Sequence, residues 1–445
     1  MLFTSPEFIV FFLLTLIITY MLNAGRLIKT RNTVLLLASY GFYANLNLCY
    51  PLLLVWVTMV NYAGGHFLCK EHYSSSKRKT LISAILILSL LPLVTLKYAP
   101  FYTKSLWLPV GLSFFTFQAL TYSLDIYRKK ITESFSLLEV ALFTAFFPTL
   151  LSGPIERARN LIPQLQQKLN INWDNIVVGS QYFMWGLFKK IVVADRLAEW
   201  IDYVYAKGTD APAGTLALAA VLYSFQIYCD FSGYASMALG CGRMLGIRLI
   251  DNFNYPYFAS SVKDFWRRWH ISLTGWFTEY VYISMGGNRV SRARWILNIS
   301  AVFLLSGIWH GATWSFIIWG AIHGIMYLVE HFCKLQDKWG IYRVAVFIGV
   351  TLAWIFFRIP EAGVAFQIID KIFTESWLPL SSIISLSPAT LVMIAVFMLF
   401  LITEWCLYTH KTPKHWLLQA SGFAILFIII SLFSVSSEKF VYFQF

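Results

Sequence analysis

The chain has 445 residues, of which 58% are hydrophobic and 13% charged, and its formal net charge is +13. Soluble domains carry about 25% charged residues, so the composition excludes an ordinary soluble protein. The positive charge does not indicate nucleic-acid binding, because the basic residues cluster between apolar runs, as the positive-inside rule predicts for cytoplasmic loops. The cysteines are scattered without a Cys-x-x-Cys pair, which predicts neither a disulfide framework nor a zinc site.

Apolar runs recur along the whole sequence and predict an all-α, polytopic membrane protein. The first run, 8–22, has no cleavage site of small residues after it, so we interpret it as a membrane anchor. Since a spanning helix needs about 20 apolar residues, we expect about 11–12 transmembrane helices in one integral domain over residues 1–445. The candidate spans centre near residues 15, 40, 60, 88, 117, 188, 226, 303, 322, 350, 398 and 426.

The basic clusters predict the orientation of these spans. With the cluster at 26–31 on the cytoplasmic side, both termini are expected on the extracytoplasmic side. The last cytoplasmic loop, 408–416, is basic, so the final span carries the aromatic segment 436–445 outward. Aromatic belts are common at membrane interfaces, so on the residues alone Tyr442 and its neighbours are interpreted first as an anchor.

Residues 143–163 break the pattern of spanning helices. A short apolar run ends there at Gly153-Pro154, and charged residues follow. Gly-Pro pairs end helices, and irregular backbone at membrane depth is tolerated only where protein buries it or where it lines a water-filled cavity. We therefore expect a re-entrant or interfacial segment.

A second irregular region, 250–294, is the richest in polar chemistry. Ser261 followed by Asp264 has the spacing of a capping box and predicts a helix start. The pattern beyond it predicts one helix that lies in the cytoplasmic interface and ends at the glycines of 285–288. Its aromatic face comprises Phe265, Trp269, Leu273, Trp276 and Tyr280, and its basic face Lys263 and Arg267.

His270 is expected on this helix, beside Trp269 and one turn beyond Trp266. A histidine flanked by tryptophans is most often a packed polar tip. Arg267 and Arg268 can snorkel to the interface as ordinary cations. They suit the phosphates of a cytoplasmic acyl donor equally well, because guanidinium groups make planar bidentate contacts.

His310 is the polar side chain deepest within an apolar context. Ionisable residues inside membranes are costly and face an interior path or a partner, so this histidine is a functional candidate. Gly307 and Gly311 would let a substrate or another helix approach its imidazole closely. A continuous helix would place Trp314 on the same face.

Two other ionisable groups receive structural interpretations. His323 aligns with Glu330, seven residues later, and is expected to pair with it. Asp230 precedes Ser232 and Gly233, which can satisfy a buried carboxylate, and substrate binding is the alternative role. Two histidines without a nearby cluster of cysteines or carboxylates favour general acid–base chemistry over a metal site.

Residues 230–289 and 307–324 together resemble the core of the membrane-bound O-acyltransferases. More narrowly, the motifs "FWRRWHISL", "GGNR" and "GIWHGATW" are similar to those of the bacterial alginate and peptidoglycan O-acetyltransferases. The likeness is densest over residues 225–325, and "FFPTLLSGPIERA" extends it over most of the chain.

The resemblance implies a ring of helices around a funnel, with His310 at the position of the family's catalytic histidine. His270 matches the second motif histidine, near the cytoplasmic mouth. The aromatic tail is similar to a motif by which the family and its small partner proteins carry an acyl group outward, which makes Tyr442 a candidate acyl relay. The expected substrate contacts are Trp266, Arg267, Arg268, Trp269, Trp309 and Asp230.

The sequence departs from the family's pattern at two places. Ser236 stands where an Asp commonly follows the Tyr of "FSGY", and Thr278-Glu279 replaces an Arg-Asp pair. These changes affect the choice of substrate more than the reaction.

We therefore expect an O-acetyltransferase of the bacterial inner membrane, with no bound cofactor and no metal. Its donor would be acetyl-CoA or another acyl thioester. Its partners would be an extracytoplasmic acetyltransferase, membrane lipids and a cell-envelope polysaccharide such as peptidoglycan or an alginate-like polymer. The alternatives are transfer of D-alanine or another acyl group, a proton-coupled transporter, and a scaffold for polymer export.

Overall fold

The computed structural model describes residues 1–70, 73–98, 109–335, 340–377 and 388–409, together with residues 422, 426, 429 and 430. Within these residues every regular element is a helix, which confirms the all-α class. The aromatic segment 436–445, with Tyr442, lies outside the described residues.

The chain groups into two compact units, the first of which comprises Met1–Phe183 and Tyr234–Asp251. Its first helix begins after Ser5, whose hydroxyl accepts a hydrogen bond from the Phe8 N–H and so satisfies one of the unpaired donors of the first turn. The helices of this part of the chain are α1 (Pro6–Ala24), α2 (Ile28–Ala44), α3 (Tyr50–Leu68), α4 (Ser75–Tyr98), α5 (Leu112–Tyr127), α6 (Leu137–Ala145), α7 (Phe147–Leu150), α8 (Ala158–Gln166) and α9 (Trp173–Leu187).

The second unit comprises Met184–Gly233 and Asn252–Phe445. Its core is aromatic: the Trp354 ring lies 4.9 Å from Trp269 and 5.7 Å from Trp319, and all three side chains are fully buried. Its elements are a π-helix (Phe188–Ala194), α10 (Asp195–Ala206), α11 (Ala213–Met244, shared with the first unit), α12 (Val262–Arg268), α13 (Ile271–Trp276), a second π-helix (Phe277–Tyr282), α14 (Arg292–His310), α15 (Trp314–Cys333), α16 (Ile341–Arg358), α17 (Ala362–Thr374) and α18 (Pro388–Tyr408).

Eight helical stretches of the described chain are long and apolar enough to cross a membrane. Their faces carry exposed apolar side chains, such as Leu13, Leu14 and Ile17 of α1, which suit lipid tails better than water. The chain is therefore a multi-pass membrane protein. The stretches are Pro6–Ala24, Tyr50–Leu68, Ser75–Tyr98, Trp173–Ala206, Ala213–Met244, Trp314–Cys333, Ile341–Arg358 and Leu391–Tyr408.

Three further predicted spans, near residues 40, 117 and 303, are helical but are not both long and apolar enough to be counted among these eight. Helices α2 and α5 have only 17 and 16 residues, and α14 carries Arg292 and Arg294 in its first turn. The twelfth predicted span, near residue 426, falls mostly outside the described residues. A count of 11–12 spans, a single domain and a central funnel stay predictions.

The segment 143–163 contains the buried irregular backbone that the sequence predicts. The short helix α7 ends at Leu150, and residues 151–157 run without helical structure before α8 begins. Residues 141–158 are all buried within the first unit, so protein surrounds this backbone as membrane depth requires.

The single helix predicted after Ser261 was wrong. Ser261 does cap α12, because its hydroxyl accepts a hydrogen bond from the Asp264 N–H at 3.0 Å. The helix ends at Arg268, however, and α13 begins only after His270, whose φ is +44°. The carbonyl and the side chain of Asn252 accept the backbone N–H groups of the next two residues, and this competition interrupts the helical ladder.

Candidate active site

Trp309 lies between the two histidines that the sequence singles out. Its ring centroid is 4.7 Å from that of His310 and 6.1 Å from that of His270. The three side chains are all buried, with His270 1% and His310 4% exposed. The fold therefore gathers two imidazoles from separate segments around one indole, in surroundings that exclude most water.

His310 is the last residue of α14, not part of a continuous helix. Gly311 is extended and α15 begins at Trp314, whose side chain is 73% exposed, so the expected contact of Trp314 with the His310 face was wrong. The imidazole instead packs edge-on against Trp319 and Phe357, each 5.1 Å away. These rings fix its orientation.

The close approach beside His310 is made by a helix. A Cβ at Gly307 would overlap the carbonyl oxygen of Phe316 in α15. Further along the same crossing, a Cβ at Gly320 would lie 2.5 Å from the Phe303 carbonyl oxygen. The sequence left open whether a substrate or another helix approaches Gly307, and in the structure helix α15 makes this close approach.

His270 is held by Asn252, a residue that the sequence did not single out. The Asn252 Oδ1 lies 3.1 Å from His270 Nδ1. Phe231 packs edge-on against the imidazole at 4.6 Å. Burial lowers the pKa of His270 to about 3, so the imidazole is neutral at physiological pH. Asn252 lies in a loop without periodicity, which is why pattern analysis missed it.

The predicted pair of His323 with Glu330 was wrong. Seven residues of helix separate two side chains by about 10 Å along the axis, too far for a hydrogen bond. The Glu330 carboxylate instead accepts the first backbone N–H groups of α12, from Val262 and from Lys263, and the Tyr342 hydroxyl at 2.9 Å. A carboxylate at the N-terminal end of α12 satisfies backbone N–H donors that have no partner within the helix, and its negative charge complements the helix dipole.

A cavity of about 360 Å³ opens beside α12 and is lined mostly by apolar side chains. Exposed Lys263 and Arg267 line it, one turn apart as predicted. Trp266 forms part of its wall, and the cavity extends to Ser306, one helical turn before His310. The arrangement suits an amphipathic molecule with an anionic end.

The other two predicted contacts on this stretch face elsewhere. Arg268 forms an ion pair with Asp264, Nε to Oδ2 at 3.0 Å, and donates to the Asn254 carbonyl oxygen at 3.3 Å. Trp269 is buried in the aromatic core, 5.1 Å from Phe253. Trp266 and Arg267 reach the cavity, whereas Arg268 and Trp269 support the helix that carries them.

Asp230 is held by a buried lysine. Lys190 Nζ lies 2.7 Å from a carboxylate oxygen of Asp230 and 2.7 Å from one of Asp195. Lys190 belongs to the π-helix Phe188–Ala194, a local widening that is frequent at functional sites. Asp230 is thus held in a buried ion pair, as the structural interpretation expects, but its partner Lys190 was not indicated by the sequence.

Comparisons with known proteins agree with this architecture. The model of the membrane-bound O-acyltransferase (MBOAT) family matches residues 35–341. A probable alginate O-acetylase (AlgI) of Azotobacter vinelandii is 35% identical over 88% of this chain and 83% of its own length. The peptidoglycan O-acetyltransferase of Helicobacter pylori is 37% identical over 75% of this chain and 72% of its own. A teichoic acid D-alanyltransferase of Streptococcus thermophilus is 29% identical over 66% and 73%.

The family match covers well over half of the chain and includes His270, Trp309 and His310. The chain belongs to the membrane-bound O-acyltransferase family, and it is a membrane acyltransferase.

Proposed function

We propose that this acyltransferase passes an acetyl group from a cytoplasmic thioester across the bacterial inner membrane, for O-acetylation of an extracytoplasmic polysaccharide. The acceptor would be peptidoglycan or an alginate-like polymer, as the names of two relatives indicate for those proteins. The observation that carries the proposal is the buried arrangement of His270 and His310 around Trp309.

In the proposed reaction His310 is the general base. As the attacking hydroxyl oxygen bonds to the thioester carbonyl carbon, its proton moves to the neutral imidazole. The carbon–sulfur bond then breaks, and the proton passes from the imidazolium to the departing thiolate. The packing of Trp309, Trp319 and Phe357 keeps the His310 ring in one orientation, which favours catalysis by positioning. His270 holds the donor.

The cavity beside α12 is the proposed donor site. Phosphate groups of acetyl-CoA or of an acyl carrier's prosthetic arm would meet Lys263 and Arg267. The acyl end would point along α14 past Ser306 toward His310. A donor held in this direction brings its carbonyl carbon to the base.

Substituting Arg267 with alanine should raise the KM for acetyl-CoA roughly ten- to a hundredfold, since one charge-assisted hydrogen bond is lost. The kcat should change less, because the contact is remote from the reacting atoms. Arg268→Ala is the matched control: Arg268 is engaged with Asp264, so its loss should leave KM within about threefold. Initial rates with purified protein in detergent measure both. Equal effects of the two substitutions on KM would place the donor elsewhere.

The attacking hydroxyl belongs, in this proposal, to Tyr442, which would carry the acetyl group to an extracytoplasmic partner acetyltransferase. A tyrosine hydroxyl has an ordinary pKa of about 10 and needs a base to attack. His310 is that base.

Labelled acetyl-CoA tests the proposal directly. Purified wild-type protein in detergent should acquire one acetyl group by intact mass, and Tyr442→Phe should acquire none. Label that persists in Tyr442→Phe would place the acetyl group on another residue of the chain and would remove Tyr442 from the proposed relay. If wild type acquires label only from an acylated carrier protein, the donor assignment changes and the reaction class stands. Absence of transfer from either donor would contradict the proposed function.

A further inference from the structure

Asn252 makes four hydrogen bonds to three successive residues. Its carbonyl oxygen accepts the Ile271 N–H at 2.9 Å. Its side-chain Oδ1 accepts from the Ser272 N–H at 3.2 Å and from the Ser272 hydroxyl at 2.8 Å, and it also faces His270 Nδ1 at 3.1 Å. Asn252 is fully buried, so these bonds form without competition from bulk water. We refer to Asn252, His270 and Ser272 as the asparagine clamp.

The clamp determines which nitrogen of His270 carries the proton. A backbone N–H can only donate, so the amide atom that faces Ser272 must be the oxygen of Asn252 and not its nitrogen. An amide oxygen can only accept, so His270 Nδ1 must donate. The imidazole is neutral because burial lowers its pKa to about 3. A neutral imidazole carries one proton, and Nε2 therefore bears the lone pair.

The asparagine clamp also holds the backbone of His270. Its φ of +44° lies in the left-handed region, which is uncommon for a residue with a side chain. Such conformations persist only where the surroundings enforce them, and they cluster at functional sites. Here the Asn252 carbonyl and side chain hold the two residues after His270, so the clamp enforces both the backbone and the ring.

We infer that Asn252 is a positioning residue that fixes His270 as a hydrogen-bond acceptor through Nε2. The tautomer of His270 does not depend on the proposed function, but its role in the reaction does. In that role, His270 Nε2 would accept a hydrogen bond from an N–H group of the donor. It would not donate to the oxyanion that forms at the reacting carbonyl. His270 would therefore not serve as a hydrogen-bond donor of an oxyanion hole.

The tautomer can be measured without reference to activity. Full-length protein labelled with [15N]histidine, in detergent at pH 7.5, should show an imidazole with a protonated Nδ1 and a bare Nε2. That signal should be absent from His270→Gln, which assigns it. Asn252→Ala should convert the signal to a mixture of tautomers. Ser272→Ala is the matched control, since it removes a bond to the same oxygen but keeps His270 Nδ1 paired, and it should keep the wild-type tautomer.

Asn252→Asp keeps the shape and the acceptor oxygen, so it serves if Asn252→Ala fails to fold. The new carboxylate favours the imidazolium and should raise the pKa of His270. Three rings that pack on His270, those of Phe231, Phe253 and Trp309, do not titrate. Asp230, which precedes Phe231 in the chain, is paired with Lys190.

The pH profile of transfer then gives the second readout. Wild type should show no decline attributable to His270 between pH 5 and 8. Asn252→Asp should lose activity below the raised pKa, about tenfold per pH unit, because the imidazolium has no lone pair, and it should recover above that pKa. A wild-type Nε2–H tautomer, or an unchanged population of Nδ1–H in Asn252→Ala, would overturn the inference. A confirmed tautomer with full transfer in His270→Gln would leave the inference standing and remove His270 from the proposed reaction.

Discussion

His310→Gln should lower the rate of acyl transfer by about 10²- to 10⁴-fold, the usual contribution of a positioned general base. Glutamine approximates the size of the imidazole and keeps polar atoms at its tip, but it cannot take up a proton at neutral pH. Because the proposed donor site is the cavity beside α12, the KM for the donor should change little. Single-turnover transfer of labelled acetyl separates the chemical step from donor binding.

His323→Gln is the control for that experiment. His323 is a fully buried histidine whose ring lies 5.0 Å from Trp319, the same indole that contacts His310 at 5.1 Å. A loss of packing around Trp319 would therefore affect both variants. The rate of transfer should be retained in His323→Gln and should fall by the factor given above only in His310→Gln. If the two variants lose the same activity at the same melting temperature, His310 is not the base.

Lys190→Met should destabilise the folded protein by about 3–5 kcal/mol, the effect expected when one partner of a buried ion pair is removed. Lys190 is 2% exposed and lies between Asp195 and Asp230, so its loss leaves two buried carboxylates next to each other. Thermal unfolding in detergent should show a large fall in the melting temperature. Adding Asp195→Asn and Asp230→Asn should restore part of it, since no unpaired charge then remains.

The pair of Arg358 with Asp202 provides the comparison. Its atoms are 2.6 Å apart, but the side chains are 24% and 50% exposed. An ion pair open to solvent contributes about 0–1 kcal/mol, so Arg358→Met should shift the melting temperature little. If Arg358→Met lowers the melting temperature as much as Lys190→Met does, burial does not determine how much each ion pair contributes to stability.

Sequence patterns predicted the features that depend on neighbouring residues. The shortage of charge and the repeated apolar runs predicted a multi-pass helical protein. The Gly153-Pro154 pair located buried irregular backbone, and Ser261 located a helix start. Each follows from composition or from spacings of a few residues.

The features that were missed depend on residues far apart in the chain. The helix breaks at His270 because Asn252, 18 residues earlier, accepts hydrogen bonds from the backbone N–H groups of Ile271 and Ser272. Glu330 caps α12 from 68 residues away instead of pairing with its helical neighbour His323. Periodicity within one segment carries no information on such competition. The sequence therefore identified the histidines, Trp309 and the cavity residues Trp266 and Arg267, but not the contacts that hold them.

The close crossing of α14 and α15 makes the support of His310 rigid. With no side chain at Gly307 or Gly320, the two helices meet backbone to backbone at two points along their length. Parts joined in this way slide or hinge against each other only by losing many contacts at once. His310, the last residue of α14, is therefore held in a fixed position relative to α15. Under the proposed function, any movement that admits the donor would involve the short helices α12 and α13 and not this crossing.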